Sequence, residues 1–360
     1  MDTESDHSQA RGLTALRPDK GVTTERRQLL LLTAVSAGLG AFDQTGGPER
    51  WVLRLGLPEG RTVEDWHLAC NEHLKAIHTL PPARASADLN ADLATLRRQL
   101  HSSSNATEIT ELRRVMAVLS SLQANVLSRL GEHVAALRWW HTARAAADAT
   151  GDLHLQLGIR ATSGGHALGH GQRDPATVLR LADEALESAG DAHSTGRAFL
   201  LCTRAKALAT LGRHGEAQAT LQECRDVMES EPPAASIMPT VWRMQGGQLE
   251  YSEVWVNAEA GDEEATAEAC ERVLSVVQDY QYRVMSNLQL ALCTVRSGGF
   301  LEGVRHAATT IGDLPAQYRT NQVDQIGRRL LQAVPAGERH RPAVVELRDL
   351  LATGPRHVGV

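Results

Sequence analysis

The feature that most constrains this chain is a glycine that recurs at 131, 171, 212, 261 and 299, each time between two stretches of helical periodicity. Glycine ends helices because it enters left-handed backbone conformations without a Cβ penalty. Helix, glycine turn and second helix make an antiparallel hairpin. The spacings are 40, 41, 49 and 38 residues, and self-similarity at such a period signals a repeat architecture. In the clearest copy Leu119, Leu122, Leu127 and Leu130 form one apolar face before Gly131, and Ala136, Trp140 and Ala143 follow at offsets of 5, 9 and 12. Ala205 and Leu208 precede Gly212 in a second copy, and Ala217, Leu221 and Cys224 follow at the same offsets. Small alanines let paired helices approach closely, and Trp140 fills the space between successive pairs. Weaker copies place Ala176 and Leu181 after Gly171, Ala265, Ala269 and Val273 after Gly261, and Val304 and Ala308 after Gly299.

Composition agrees. The chain is 42% hydrophobic but only 4% aromatic, a balance that packs helices well and builds sheets poorly. The expectation is an all-α chain, with residues 1–50 a disordered polar segment carrying a short apolar stretch and residues 51–355 a helical-repeat array. The strongest repeats span 115–150 and 197–230. A helical pair over 62–80 and 86–100, around Pro81 and Pro82, caps one end, with N-caps expected in Ser104–Thr107. Helices over 321–334 and 341–351 cap the other.

The pairs Leu130–Gly131 and Leu211–Gly212, each followed by a small residue, a large apolar residue and a small residue, resemble the tetratricopeptide repeat. The resemblance covers about residues 110–315. The spacing departs from the family's period of about 34 residues, and the terminal proline is absent. It implies a right-handed α-solenoid of degenerate hairpins sharing one continuous core. More loosely, the Arg-Arg-x-Leu-Leu-Leu segment followed by degenerate repeats is similar to the sensory half of actinobacterial tetratricopeptide transcription regulators, here without their helix-turn-helix. That kinship implies a regulatory role through protein or small-ligand contacts.

A net charge of −6 and a pI near 6.2 argue against direct nucleic-acid binding, which draws its affinity from a positive surface. Arg26 and Arg27 before an apolar run resemble a twin-arginine export signal. That run is shorter than the roughly 20 residues that cross a bilayer, so no membrane span is expected. Acidic Glu25 and the long polar lead favour a cytoplasmic protein, with export the alternative. Cys70, Cys202, Cys224, Cys270 and Cys293 show no CxxC spacing and read as buried reduced thiols.

No GxSxG, GxxxxGKS or HExxH motif occurs, so the chain reads as non-enzymatic, with no cofactor and no resident metal. A pathway enzyme on a helical scaffold is the alternative. His166 and His170, four apart, could share a helix face and a metal, but the glycines around them favour exposed or turn-facing rings. His67, His73 and His78 read as surface residues, and Glu263 and Glu264 as acids favoured by a helix start.

In the resemblance, the helix before each turn forms the inner, concave wall. Counting back from each glycine puts Asn125, Arg129, Lys206, Gln248, Tyr251, Trp255, Gln289 and Arg296 on it. These are the candidate partner-binding residues. A protein or peptide would lie extended in the groove, or a small signal would occupy it, held by Asn125, Arg129 and Lys206 through charge-assisted bonds.

Overall fold

In the computed structural model the described residues are 61–190, 194–230 and 247–352, all within the compact unit Glu59–Val360. The expectations for residues 1–50, including Arg26 and Arg27, lie outside them. Among the described residues there are fourteen α-helices and no strand. They are α1 Val63–Thr79, α2 Pro82–Ser102, α3 Ala106–Leu130, α4 His133–Asp148, α5 Leu153–Gly169, α6 Pro175–Ala189 and α7 Thr195–Thr210. They continue as α8 His214–Ser230, α9 Gln248–Ala260, α10 Glu263–Val276, α11 Tyr280–Arg296, α12 Phe300–Gly312, α13 Asn321–Ala333 and α14 Pro342–Ala352. None is long and apolar enough to cross a membrane.

Local chemistry sets the boundaries. Asp152, Asp174, Asp262 and Asp279 each accept a backbone N–H of the helix they precede, satisfying donors that a helix start leaves unpaired. Asn105 does the same for α3 by accepting from Thr107 and Glu108. Gly131, Gly171, Gly212 and Gly261 turn the hairpins with φ between 61° and 82°. At the last hairpin the left-handed residue is Gly298, at φ 103°, and not the expected Gly299. Proline at the first turn lets α2 begin at Pro82, before the expected residue 86, because its missing N–H is one no helix start needs.

The helices sort into two layers. Odd-numbered helices each pack on the next odd-numbered helix, from α1 through α13. Helices α4, α8, α10 and α12 pack mainly on the helix before them in their hairpin, α2 and α6 mainly on the helix that follows, and α14 mainly on α12. Burial patterns explain the sorting. In α9 every residue from Tyr251 to Ala258 is buried, whereas α4 buries only Ala136, Trp140, Ala143 and Ala147. A helix apolar all round must be covered on several sides, and one with a single stripe can stay outside. The expected offsets hold at Ala136, Trp140, Ala143, Ala217, Leu221 and Cys224, all 0–1% exposed. They fail after Gly171: Ala176 and Leu181 are exposed, and Val178, Leu179 and Ala182 fill the core. Pro175 starts α6 beyond a longer turn and shifts its phase. All five cysteines are buried free thiols.

The array returns on itself. Helix α13 packs on α3, and α11 touches α1. Gln325 donates to the carbonyl of His170 at 2.7 Å, Tyr318 donates to that of Thr79 at 3.2 Å, and the Asn321 amide lies 3.4 Å from His133 Nε2.

Candidate functional site

The inner helices bound a cavity of about 420 Å³. Its lining comes from α1 (Ile77, His78), α3 (Asn125, Arg129), α5 (Gly165, His166), α7 (Phe199, Lys206), α9 (Gln248, Tyr251, Trp255) and α11 (Gln281, Tyr282, Met285), with Asp279 and Gln322 beside them. The volume suits a small organic molecule.

Six of the eight residues expected on the inner wall meet here: Asn125, Arg129, Lys206, Gln248, Tyr251 and Trp255. Two do not. Gln289 is fully buried in α11, outside the lining, because an inner helix packed on two inner neighbours has polar positions that face protein. Arg296 sits at the far end of α11, paired with Glu259 at 2.9 Å.

The expected division of labour changes. Arg129 is spent on the protein: Nη2 bonds Asp279 at 2.9 Å, Nη1 bonds the Ile77 carbonyl at 2.8 Å, and Nε bonds Asn125 Oδ1 at 2.8 Å. With Asn125 and Arg129 satisfying each other, Lys206 is the other Arg or Lys side chain among the described lining residues. It is 5% exposed, and among the described residues no carboxylate lies within ion-pair distance of Nζ. Its Nζ lies 5.6 Å from the centroid of the Tyr251 ring, within cation–π range. Burial holds its pKa below the ordinary lysine value, and only Cys202 opposes that. A buried ammonium without a counter-ion costs free energy, so this position favours an anion.

The rest of the wall is aromatic. Tyr251 stacks on Tyr282 with centroids 4.8 Å apart and meets Trp255 edge-on at 6.2 Å. Tyr282 donates to Gln248 Oε1 at 2.5 Å, and Trp255 Nε1 donates to Thr210 at 3.2 Å. These polar tips are satisfied, so the rings offer flat apolar surface. Buried Gln281 keeps an Oε1 with no partner among the described residues.

The histidines depart from expectation. His166 lines the cavity, and His170 is 2% exposed; their rings stack at 5.4 Å, with planes 8° apart. Burial, then the positive charge of neighbours, pushes His170 down to about 3 and His166 well below the usual value. Among the described residues no three His, Cys, Asp or Glu side chains group as a metal site. His73 is also buried, 2.8 Å from Asp92, and His78 lies 3.6 Å from Asp279. These rings read as surface residues because their polar partners lie far off in sequence.

Sequence reasoning passed over Phe199, Tyr282 and Met285. Tyr282 carried a usable signal, since an aromatic one turn after an Asp cap, in an aromatic-poor chain, is placed to line an inner wall. No family model, curated protein or solved structure matches this chain.

Proposed function

We propose that this chain is a binding protein of tetratricopeptide type, a solenoid whose inner helices close around a small organic anion. Lys206 carries the reading: a buried, uncompensated ammonium on an aromatic-walled cavity. A carboxylate or similar group pairs with Nζ, a flat apolar body lies against Tyr251, Tyr282 and Trp255, and a donor on the ligand meets Gln281. The chain catalyses nothing in this reading and works as a regulatory sensor. The ligand bridges α1 and α3 to α9 and α11, so its arrival strengthens the contact that closes the array, and a partner protein reads that change. An extended peptide is the less favoured occupant, because Arg129 and Asn125 are consumed by closure and the cavity holds only about 420 Å³.

Thermal unfolding of the full chain, titrated with 2-naphthoate and separately with extended peptides ending in a free carboxylate, separates these occupants. The proposal expects a saturable rise in Tm with the small acid, absent in Lys206→Met. A rise with peptides only, or an equal rise in the variant, counts against it.

A further inference from the structure

A second cavity lies on the other side of α5. It holds about 360 Å³, and three arginines line it: Arg144 from α4, Arg160 from α5 and Arg173 from the α5–α6 turn. All three are half-buried. Arg160 bonds Asp148 at 2.9 Å. Among the described residues neither Arg144 nor Arg173 has a carboxylate within ion-pair distance. Arg144 instead reaches Nδ1 of His141 at 3.2 Å. The lining does include the carboxylate of Glu184, which bonds Arg180 at 2.5 Å.

Three guanidiniums lining one concavity repel each other, and of the three only Arg160 is in a direct ion pair among the described residues. Burial and the positive charges of Arg173 and Arg160 hold Arg144 below the ordinary arginine pKa, with only Asp148 opposing. Such an arrangement is stable in isolation only at a cost, and guanidinium forks match the oxygens of phosphoryl groups. Val178, Leu181 and Leu200 add apolar lining, and the hydroxyls of Ser163 and Ser188 also line the cavity. Gly164 keeps the floor thin: a Cβ there would stand 3.2 Å from Thr203 Cγ2. We propose that this second cavity is a binding site for a phosphorylated small molecule, its phosphoryl oxygens held by Arg144, Arg160 and Arg173 and its body against the apolar lining. The site is separate from the Lys206 cavity, although Gly164 faces one and Gly165 the other.

Titration calorimetry of the full chain with pyrophosphate, repeated with inorganic phosphate and with sulfate, tests this. Saturable one-to-one binding of pyrophosphate is expected. It weakens at least about tenfold in Arg144→Gln/Arg173→Gln, as the loss of charged hydrogen bonds requires, and is unchanged in Lys206→Met. Asp148→Asn, which removes the competing carboxylate, binds more tightly, and this exposed position reports on the site even where the double variant folds poorly. Absence of saturable binding by the wild-type chain overturns the proposal. So does equal binding by the folded double variant, binding lost in Lys206→Met, or an Asp148→Asn variant that binds no better.

Discussion

Arg129 and Asp279, 150 positions apart in sequence, meet at 2.9 Å with both side chains only 3% exposed. Arg129 lies in the last turn of α3, and Asp279 caps α11, so one ion pair both starts a late inner helix and ties it to an early one. The pair fixes the distance across the cavity, and its cost of burial is offset by the Ile77 carbonyl, Asn125 and the Gln281 N–H.

Removing one member leaves the other charge buried alone, which costs about 3–5 kcal/mol. Arg129→Met and Asp279→Leu are therefore each expected to destabilise strongly, while the double variant recovers much of the loss. Urea unfolding of the three variants checks this, and additive single losses would show that the two charges do not depend on each other.

Lys206→Met is expected to do the opposite in the unliganded protein. Exchanging an unpaired buried ammonium for an apolar side chain of similar length raises stability by removing the cost of burying the charge, on the order of the 1–4 kcal/mol gained when buried ion pairs are replaced by hydrophobic residues. The gain is largest below the lowered Lys206 pKa and fades above the ordinary lysine value. In between, the folded wild type has already released its proton while the unfolded chain still holds it. Chemical unfolding of both proteins at neutral and alkaline pH measures this; a less stable variant would mean that Nζ has a partner in the folded chain.

Acid sensitivity is expected from α5. His170 stays neutral in the folded protein down to about 3, while its unfolded value is near 6.5. The unfolded chain therefore binds the extra proton, and stability falls as pH drops through that window, by up to about 1.4 kcal/mol per pH unit for one histidine. His166, also lowered, adds to the slope. His170→Leu flattens the acid limb of a stability-versus-pH curve, and an unchanged limb would place the titration elsewhere.

Two glycine substitutions are expected to have opposite signs. A Cβ on Gly196 would stand 2.5 Å from the His154 carbonyl and 3.0 Å from Leu157 Cβ, whereas one on Gly215 meets nothing within 4 Å. Gly196→Ala separates α7 from α5 and costs about 1–3 kcal/mol by overpacking. Gly215→Ala, at an exposed helical position, gains up to about 1 kcal/mol from reduced unfolded-state freedom. Thermal melts of the two variants decide.

What was legible in the sequence is what local physics fixes. Gly131, Gly171, Gly212 and Gly261 announce hairpins because the left-handed residue must be glycine, and Ala136, Trp140 and Ala143 announce a face because the helical period puts them on one side. The phase after Gly171 was not legible, since Pro175 moves the helix start and carries Ala176 and Leu181 outward. Counting back from Gly212 reaches Lys206, but its lack of a counter-ion depends on what the other inner helices bring to it. The same count from Gly131 puts Arg129 on the inner wall, but its pairing with Asp279 depends on closure of the array, and no periodicity encodes a contact across 150 residues. The same holds for Gln289, whose burial depends on packing against other inner helices.

The central claim, that the cavity selects a small anion through Lys206, is tested most directly by calorimetric titration of 2-naphthoate and 2-naphthamide into wild type and Lys206→Met. The account predicts that wild type prefers the acid by at least about tenfold, the scale of one charge-assisted contact. It also predicts that this preference falls as pH rises towards the lowered Lys206 pKa, and that Lys206→Met has no preference. Equal affinity of wild type for acid and amide, or a preference that survives in Lys206→Met, would contradict it.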